Sequence, residues 1–158
     1  MLLQEALEGI SDVEARWQPA PTSNHILWIL WHLSRIEDVW FNDYMTTGSD
    51  VWVNSGWYER IGRPKDAHGF GDSIEDVVGF PDVPLSEIHG YRAAVRESIW
   101  PVLDGLTQDD LANTFEERWP LARAAPTVTW ALGRVVVEAS QHIGQIAYIA
   151  GMIRDARK

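Results

Sequence analysis

Glu138 and His142 are the residues of this chain whose types and spacing best suit chemistry. They sit inside VVVEASQHIGQIAYIAGMI, residues 135–153, a stretch with no proline and little charge. Side chains four residues apart on a helix lie one above the other, a spacing that lets both bind one metal ion. The line Ala131, Val135, Glu138, His142, Gln145 and Ile149 is apolar at both ends and carries the pair in its middle. A neighbouring line (Leu132, Val136, Ala139, Ile143, Ile146, Ala150, Ile153) is apolar throughout. Together they predict a helix buried over much of its circumference, with the pair pointing inward. A carboxylate taken out of water needs a cation, a strong donor or a proton. The pair therefore reads either as part of a metal site or as a hydrogen-bonded Glu–His core pair.

His32 is the polar intruder in a second apolar helix, HILWILWHLSRIEDVWFNDYM. Two histidines and one carboxylate projecting from facing helices form a ligand set suited to zinc, nickel or iron, with positions left open. An ion so held lowers the pKa of bound water or stabilises a thiolate. The competing reading of His32 is a satisfied core histidine. Arg134, one turn before Glu138, either anchors an anionic substrate group or neutralises Glu138. Gln145, one turn after His142, hydrogen-bonds a ligand, a substrate or a neighbouring helix. His25, near a helix start, reads as a capping or surface residue, the alternative being a group that supports the site or an entry-side acid or base; His68, in KDAHGFG, reads as a solvated loop residue, the alternative being one that closes over the site; His89 reads as partly exposed packing. Glu37-Asp38 reads as a solvated face, with Glu37 within reach of Arg35 or Arg134. His32 with Ser34 or Ser140 lacks a third member to orient the base, so no nucleophilic triad is indicated.

Four long helices must position these groups. The first spans Leu2–Trp17 and is stopped by QPAPTSN. The second starts at Ser23–Asn24, both good N-caps, and runs to about Met45. The third runs from about Leu85 to Leu106 after Pro84, and Pro101 should kink or shorten it. Thr107–Leu111 is a capped turn and residues 113–125 an irregular linker. Pro126-Thr127 opens the fourth helix, which reaches about Asp155, with Arg154, Arg157 and Lys158 suited to its C-terminal end. Residues 49–83, rich in glycine and aromatics, form a long irregular connection that covers the bundle end, with a short helix at Ser73–Val78 capped by Asp72 or Ser73. With no alternating strand pattern, the fold class is all-α: one four-helix bundle over residues 1–158, up-down-down-up, with 49–83 as the crossover.

Composition narrows the function classes. A chain of 158 residues with nine tryptophans can build a substantial aromatic core. No cysteine is present, which excludes disulfides, thiolate metal sites and a cysteine nucleophile; any thiol must arrive with a substrate. A net charge of −10 offers no basic stripe for nucleic acid. The longest apolar run, Ile26–Trp31, is too short to span a bilayer, and the acidic N-terminus lacks the basic region of a signal peptide. The expectation is a cytoplasmic protein with a small-molecule substrate, no nucleic acid or membrane partner, and a homodimer formed through exposed aromatics.

The segment NHILWILWHLSRIEDVWF resembles the second helix of the DinB/YfiT-like four-helix family, in which a histidine in a WHLxxxED-type setting is the first metal ligand. TVTWALGRVVVEASQHIGQIAYIAGMIRD is similar to that family's last helix, whose usual pattern is HxxxHxGQI, and GWYERIG with GFGDSIEDV resembles the linker of its mycothiol-associated branch. The resemblance implies a divalent ion, zinc or nickel, held by His32 and His142 in the first and third ligand positions. At the second position many members carry histidine, and this chain has Glu138, as in the mycothiol-associated branch; a carboxylate still ligates. The activity implied is that of a thiol S-transferase or a related reaction using a low-molecular-weight thiol such as mycothiol or bacillithiol. The alternative is a non-catalytic metal- or small-molecule-binding bundle.

Overall fold

A computed structural model describes residues 2–46, 48, 50–115 and 125–158. Its helices, in order, are α1 (Leu2–Leu7), α2 (Asp12–Ala15), α3 (Ile26–Asp38), a π-helical continuation (Val39–Tyr44), α4 (Val51–Asn54), α5 (Trp57–Ile61), α6 (Ile74–Val78), α7 (Leu85–Gly105), a 3₁₀ turn (Asp109–Ala112) and α8 (Val128–Ala156). Among the described residues there is no strand, only a single antiparallel bridge between Thr114 and Thr127. The fold is all-helical, and its arrangement is compatible with a four-helix bundle.

Helix α3 is central: all thirteen of its residues are buried, eight apolar and five polar (His32, Ser34, Arg35, Glu37 and Asp38). A helix buried all round must be covered on every side, and its polar groups must find partners within the protein. Here α7 and α8 flank α3, and α1 packs on α8. Trp31 is fully buried and meets Trp28, Trp52 and Phe80, while Tyr91 of α7 meets Trp52 and Trp57. The aromatics of the 49–83 connection thus pack along α3 and α7, and the connection itself is more regular than its composition suggests, carrying α4, α5 and α6. Ser73 caps α6 through a reciprocal box with Asp76, as the sequence predicts.

Several boundaries differ from the sequence reading. The helix predicted over Leu2–Trp17 is split into α1 and α2, because Gly9 takes a left-handed φ of 71° and Ser11 starts a new helix with its own capping box to Glu14. Arg154 donates to the carbonyls of Glu5, Ala6 and Glu8, and Arg157 to that of Gly9, so the cations at the end of α8 satisfy the broken first helix. With α1 this short, the N-terminal half of α8 is left partly uncovered: Val136 is 64 % exposed, and the second apolar line of α8 is only partly buried. The cap of α3 is His25, rather than Ser23 or Asn24. Beyond Asp38 that helix widens to a π-helix, with Met45 N–H bonding Trp40 O. Pro101 does not end α7, which continues to Gly105; the residue is exposed, and near a helix end the loss of one hydrogen bond is tolerated. Most of the linker predicted over 113–125 lies outside the described residues.

Glu37 and Asp38 are the clearest departure, buried to 2 % and 0 % exposure where a solvated face was the expectation. Glu37 pairs with Arg92 and Arg96 of α7, not with Arg35 or Arg134. Asp38 accepts from Arg35, Asn42, Tyr91 Oη and the backbone N–H groups of Val51 and Trp52. Arg35 also donates to Asp50 and to Ala67 O, and its guanidinium lies 5.0 Å over the Trp52 ring. This buried network fastens the 50–67 segment to α3.

Candidate metal centre

His32 on α3 and Glu138 and His142 on α8 come together, each offering a ligand atom within 4.8 Å of the others. The two imidazoles meet edge to face with centroids 5.0 Å apart. His32 is buried, and Glu138 and His142 are mostly so.

Hydrogen bonds fix which nitrogen of each ring is available. His32 Nδ1 lies 2.6 Å from His68 O, and a carbonyl only accepts, so Nδ1 carries the proton and Nε2 keeps its lone pair. His142 Nδ1 likewise donates to Gln145 Oε1 at 2.9 Å. Its Nε2 then faces Glu138 Oε2 at 3.2 Å. A nitrogen lone pair and a carboxylate oxygen at that distance repel unless a proton or a cation joins them. The donor set therefore fits a divalent ion: two imidazole nitrogens and one carboxylate oxygen converge, and carbonyl or amide partners orient both rings from behind.

Burial pushes His32 down to a pKa of about 4, outweighing the bond to His68 O, which favours the charged form. The imidazole is neutral at neutral pH, the form that ligates. Trp28 stacks on it at 4.9 Å and 13°, and is itself held by its indole N–H to Asp72, which also accepts from Arg63.

The loop that supplies His68 O belongs to the connection expected to cover the bundle end, but it reaches the cluster through a backbone carbonyl and not through the His68 imidazole. Gly69, next to it, has φ +83°, and a Cβ there would lie 2.5 Å from His32 Nδ1 and 3.1 Å from Trp28 Cζ2. Only glycine allows the backbone this close to the ring. A glycine inside KDAHGFG is the one sequence signal of that approach.

The remaining candidates fall in different places. Arg134 bonds Glu138 Oε1. His25 is buried as well as capping: its Nδ1 accepts from Trp28 N–H and its Nε2–H donates to Val77 O, so it serves the fold rather than the cluster. The half-buried His68 side chain accepts from Phe70 N–H, and it is the backbone carbonyl of His68 that reaches the cluster. His89 lies exposed on α7, away from the cluster.

Buried neutral histidines make a prediction for the metal-free protein. His32 and His25 both have folded pKa values below the ordinary 6.5, through desolvation. The unfolded chain then binds more protons than the folded one as pH falls through 6.5, so stability is full above that value and is lost on acidification, levelling only below the folded pKa. For His32 alone the loss between pH 7.5 and pH 5 is about 2 kcal/mol. Urea midpoints across this range should fall accordingly, and a flat profile would contradict the neutral, buried assignment.

The fold and this cluster define an all-helical protein whose two-histidine, one-carboxylate group could hold a metal ion. The chain belongs to the DinB superfamily, whose family profile matches residues 1–146. In fold it is similar to a crystal structure described as the conserved protein of locus from Enterococcus faecalis, with a TM-score of 0.81, 20 % identity, and coverage of 94 % of this chain and 86 % of that one. No curated protein matches the sequence significantly. Among the described residues, no helix is long and apolar enough to cross a membrane.

Proposed function

We propose that this chain is a single-domain, cytoplasmic, metal-dependent enzyme in which His32, Glu138 and His142 hold a divalent ion, zinc or nickel, for reaction of a low-molecular-weight thiol with a small electrophile. The observation that carries the reading is the convergence of His142 Nε2 and Glu138 Oε2 beside His32, with both imidazoles turned by hydrogen bonds at Nδ1. A bound ion would supply the positive charge that keeps a thiol ionised at neutral pH. The chain's own groups do the rest: His68 O and Gln145 Oε1 hold the Nδ1 protons, Trp28 covers one face of His32, and Glu138 brings a negative charge to the ligand set. A thiol cosubstrate fits a chain without cysteine, where sulfur chemistry has to enter with the substrate. Exposed aromatics, Trp100 and Tyr148 among them, would serve association as a homodimer.

The test is turnover of a chromogenic electrophile with a panel of low-molecular-weight thiols, mycothiol and bacillithiol included. At least one thiol should react 10-fold or more faster with zinc- or nickel-loaded protein than with chelator-treated protein. Equal rates for both forms with every thiol would contradict the reading and leave the non-catalytic alternative.

A further inference from the structure

Arg134 stands one helical turn before Glu138 on α8, about one-third exposed, and among the described residues its guanidinium bonds only Glu138 Oε1. The other oxygen of the same carboxylate, Oε2, faces His142. The single anion of the candidate ligand set is therefore shared between an arginine and the point where the ligand atoms converge.

Two effects of such an arginine oppose each other. It orients Glu138, which favours metal binding, and it repels a dication, which weakens it. An i, i+4 ion pair with a partly exposed guanidinium is a weak contact. Repulsion from a doubly charged ion scales with the product of the charges, so through the same partly exposed surroundings and at equal distance it is about twice the interaction of a single ion pair. Repulsion wins.

We propose that Arg134 is a built-in counter-charge to Glu138, loosening the site's hold on the ion and reserving the ion's full double charge, with its own guanidinium alongside, for a substrate that binds as an anion. The inference rests on the metal reading above and deepens it: the preferred ligand of the loaded site is an anion, such as a thiolate or carboxylate, over a neutral group. The other arginines near the cluster are already committed, Arg35 to Asp38 and Asp50 and Arg63 to Asp72.

Zinc affinity, measured by chelator competition on the parent, Arg134→Gln and Arg134→Lys proteins, separates charge from shape. Arg134→Gln should bind zinc at least 10-fold tighter than the parent, and Arg134→Lys within threefold of it. In cobalt(II)-loaded protein, the affinity for azide, read from the visible spectrum, should fall at least threefold in Arg134→Gln. A Gln variant that binds zinc no tighter than the parent overturns the counter-charge role, and unchanged or tighter azide binding overturns the anion preference. A parent that binds no zinc overturns the metal reading itself, a distinguishable failure.

Discussion

Asp38→Ala should cost the protein at least 4 kcal/mol of stability and lower its melting temperature by about 10 °C or more. The carboxylate is fully buried and accepts five hydrogen bonds: from Arg35 at 3.1 Å, Asn42 at 2.8 Å, Val51 and Trp52 N–H at 2.9 Å each, and Tyr91 Oη at 2.6 Å. Arg35 retains Asp50 after the truncation, and Asn42 retains Ser98. The two backbone donors and the Tyr91 hydroxyl lose their acceptor in a dry setting. Each orphaned donor costs about 1–3 kcal/mol, and removing one partner of a buried ion pair costs about 3–5 kcal/mol. Burial raises the Tyr91 pKa well above its ordinary value, so the phenol remains a donor throughout the accessible pH range. A domain with stability on the order of 5–15 kcal/mol loses much of it this way, and a domain of this size shifts by about 2–4 °C per kcal/mol. Asp38→Asn, which keeps the shape and one acceptor, should lie between parent and alanine. Urea and thermal unfolding followed by circular dichroism measure all three. A loss below about 1 kcal/mol for Asp38→Ala would mean that the network is not what fastens the 50–67 segment.

The second large effect belongs to Gly69. A methyl group there would sit 2.5 Å from His32 Nδ1 and 3.1 Å from both His32 Cγ and Trp28 Cζ2, and neither ring can yield easily because they stack on each other within the core. Either the loop or the imidazole must move, and both movements break the bond from His32 Nδ1 to His68 O. Loss of a partner that orients a ligand histidine lowers metal affinity by roughly 10–100-fold. Gly71→Ala is the matched control: its φ is +81°, and its Cβ would meet nothing within 4 Å. Both substitutions carry the backbone penalty of a left-handed alanine, about 1 kcal/mol, but only Gly69→Ala should weaken zinc binding. Equal zinc affinities for the two variants, measured by chelator competition, would remove His68 O from the account.

What the sequence made legible followed from periodicity and caps. The 131–149 line put Glu138 and His142 on one face, Thr127 marked the start of α8, and Ser73 that of α6. His32 stood out as the imidazole in an otherwise apolar stretch. What escaped reading had non-local causes. Asp38 looks like a surface acid because its partners lie 13, 14 and 53 residues away and two of them are backbone amides, which no residue letter reports. His25 displaced the better caps Ser23 and Asn24 because its ring also reaches Val77 O and packs edge-on against Phe80, so tertiary contacts overrode local preference. Gly9 broke a helix whose apolar spacing continued through it, and the end of α8 supplied the arginines that make the break tolerable. The orientation of His32 depends on a carbonyl 36 residues away and on a glycine whose φ no composition reveals.

The most direct test of the metal centre is metal content by mass spectrometry on tag-free protein purified without chelator, beside His142→Ala prepared identically. The parent should carry close to one equivalent of zinc or nickel and the variant little, with the helical circular dichroism of both the same. A parent that comes free of metal and also fails to take up added zinc or nickel would contradict the metal reading, leaving Glu138 and His142 as a buried polar pair joined by a proton.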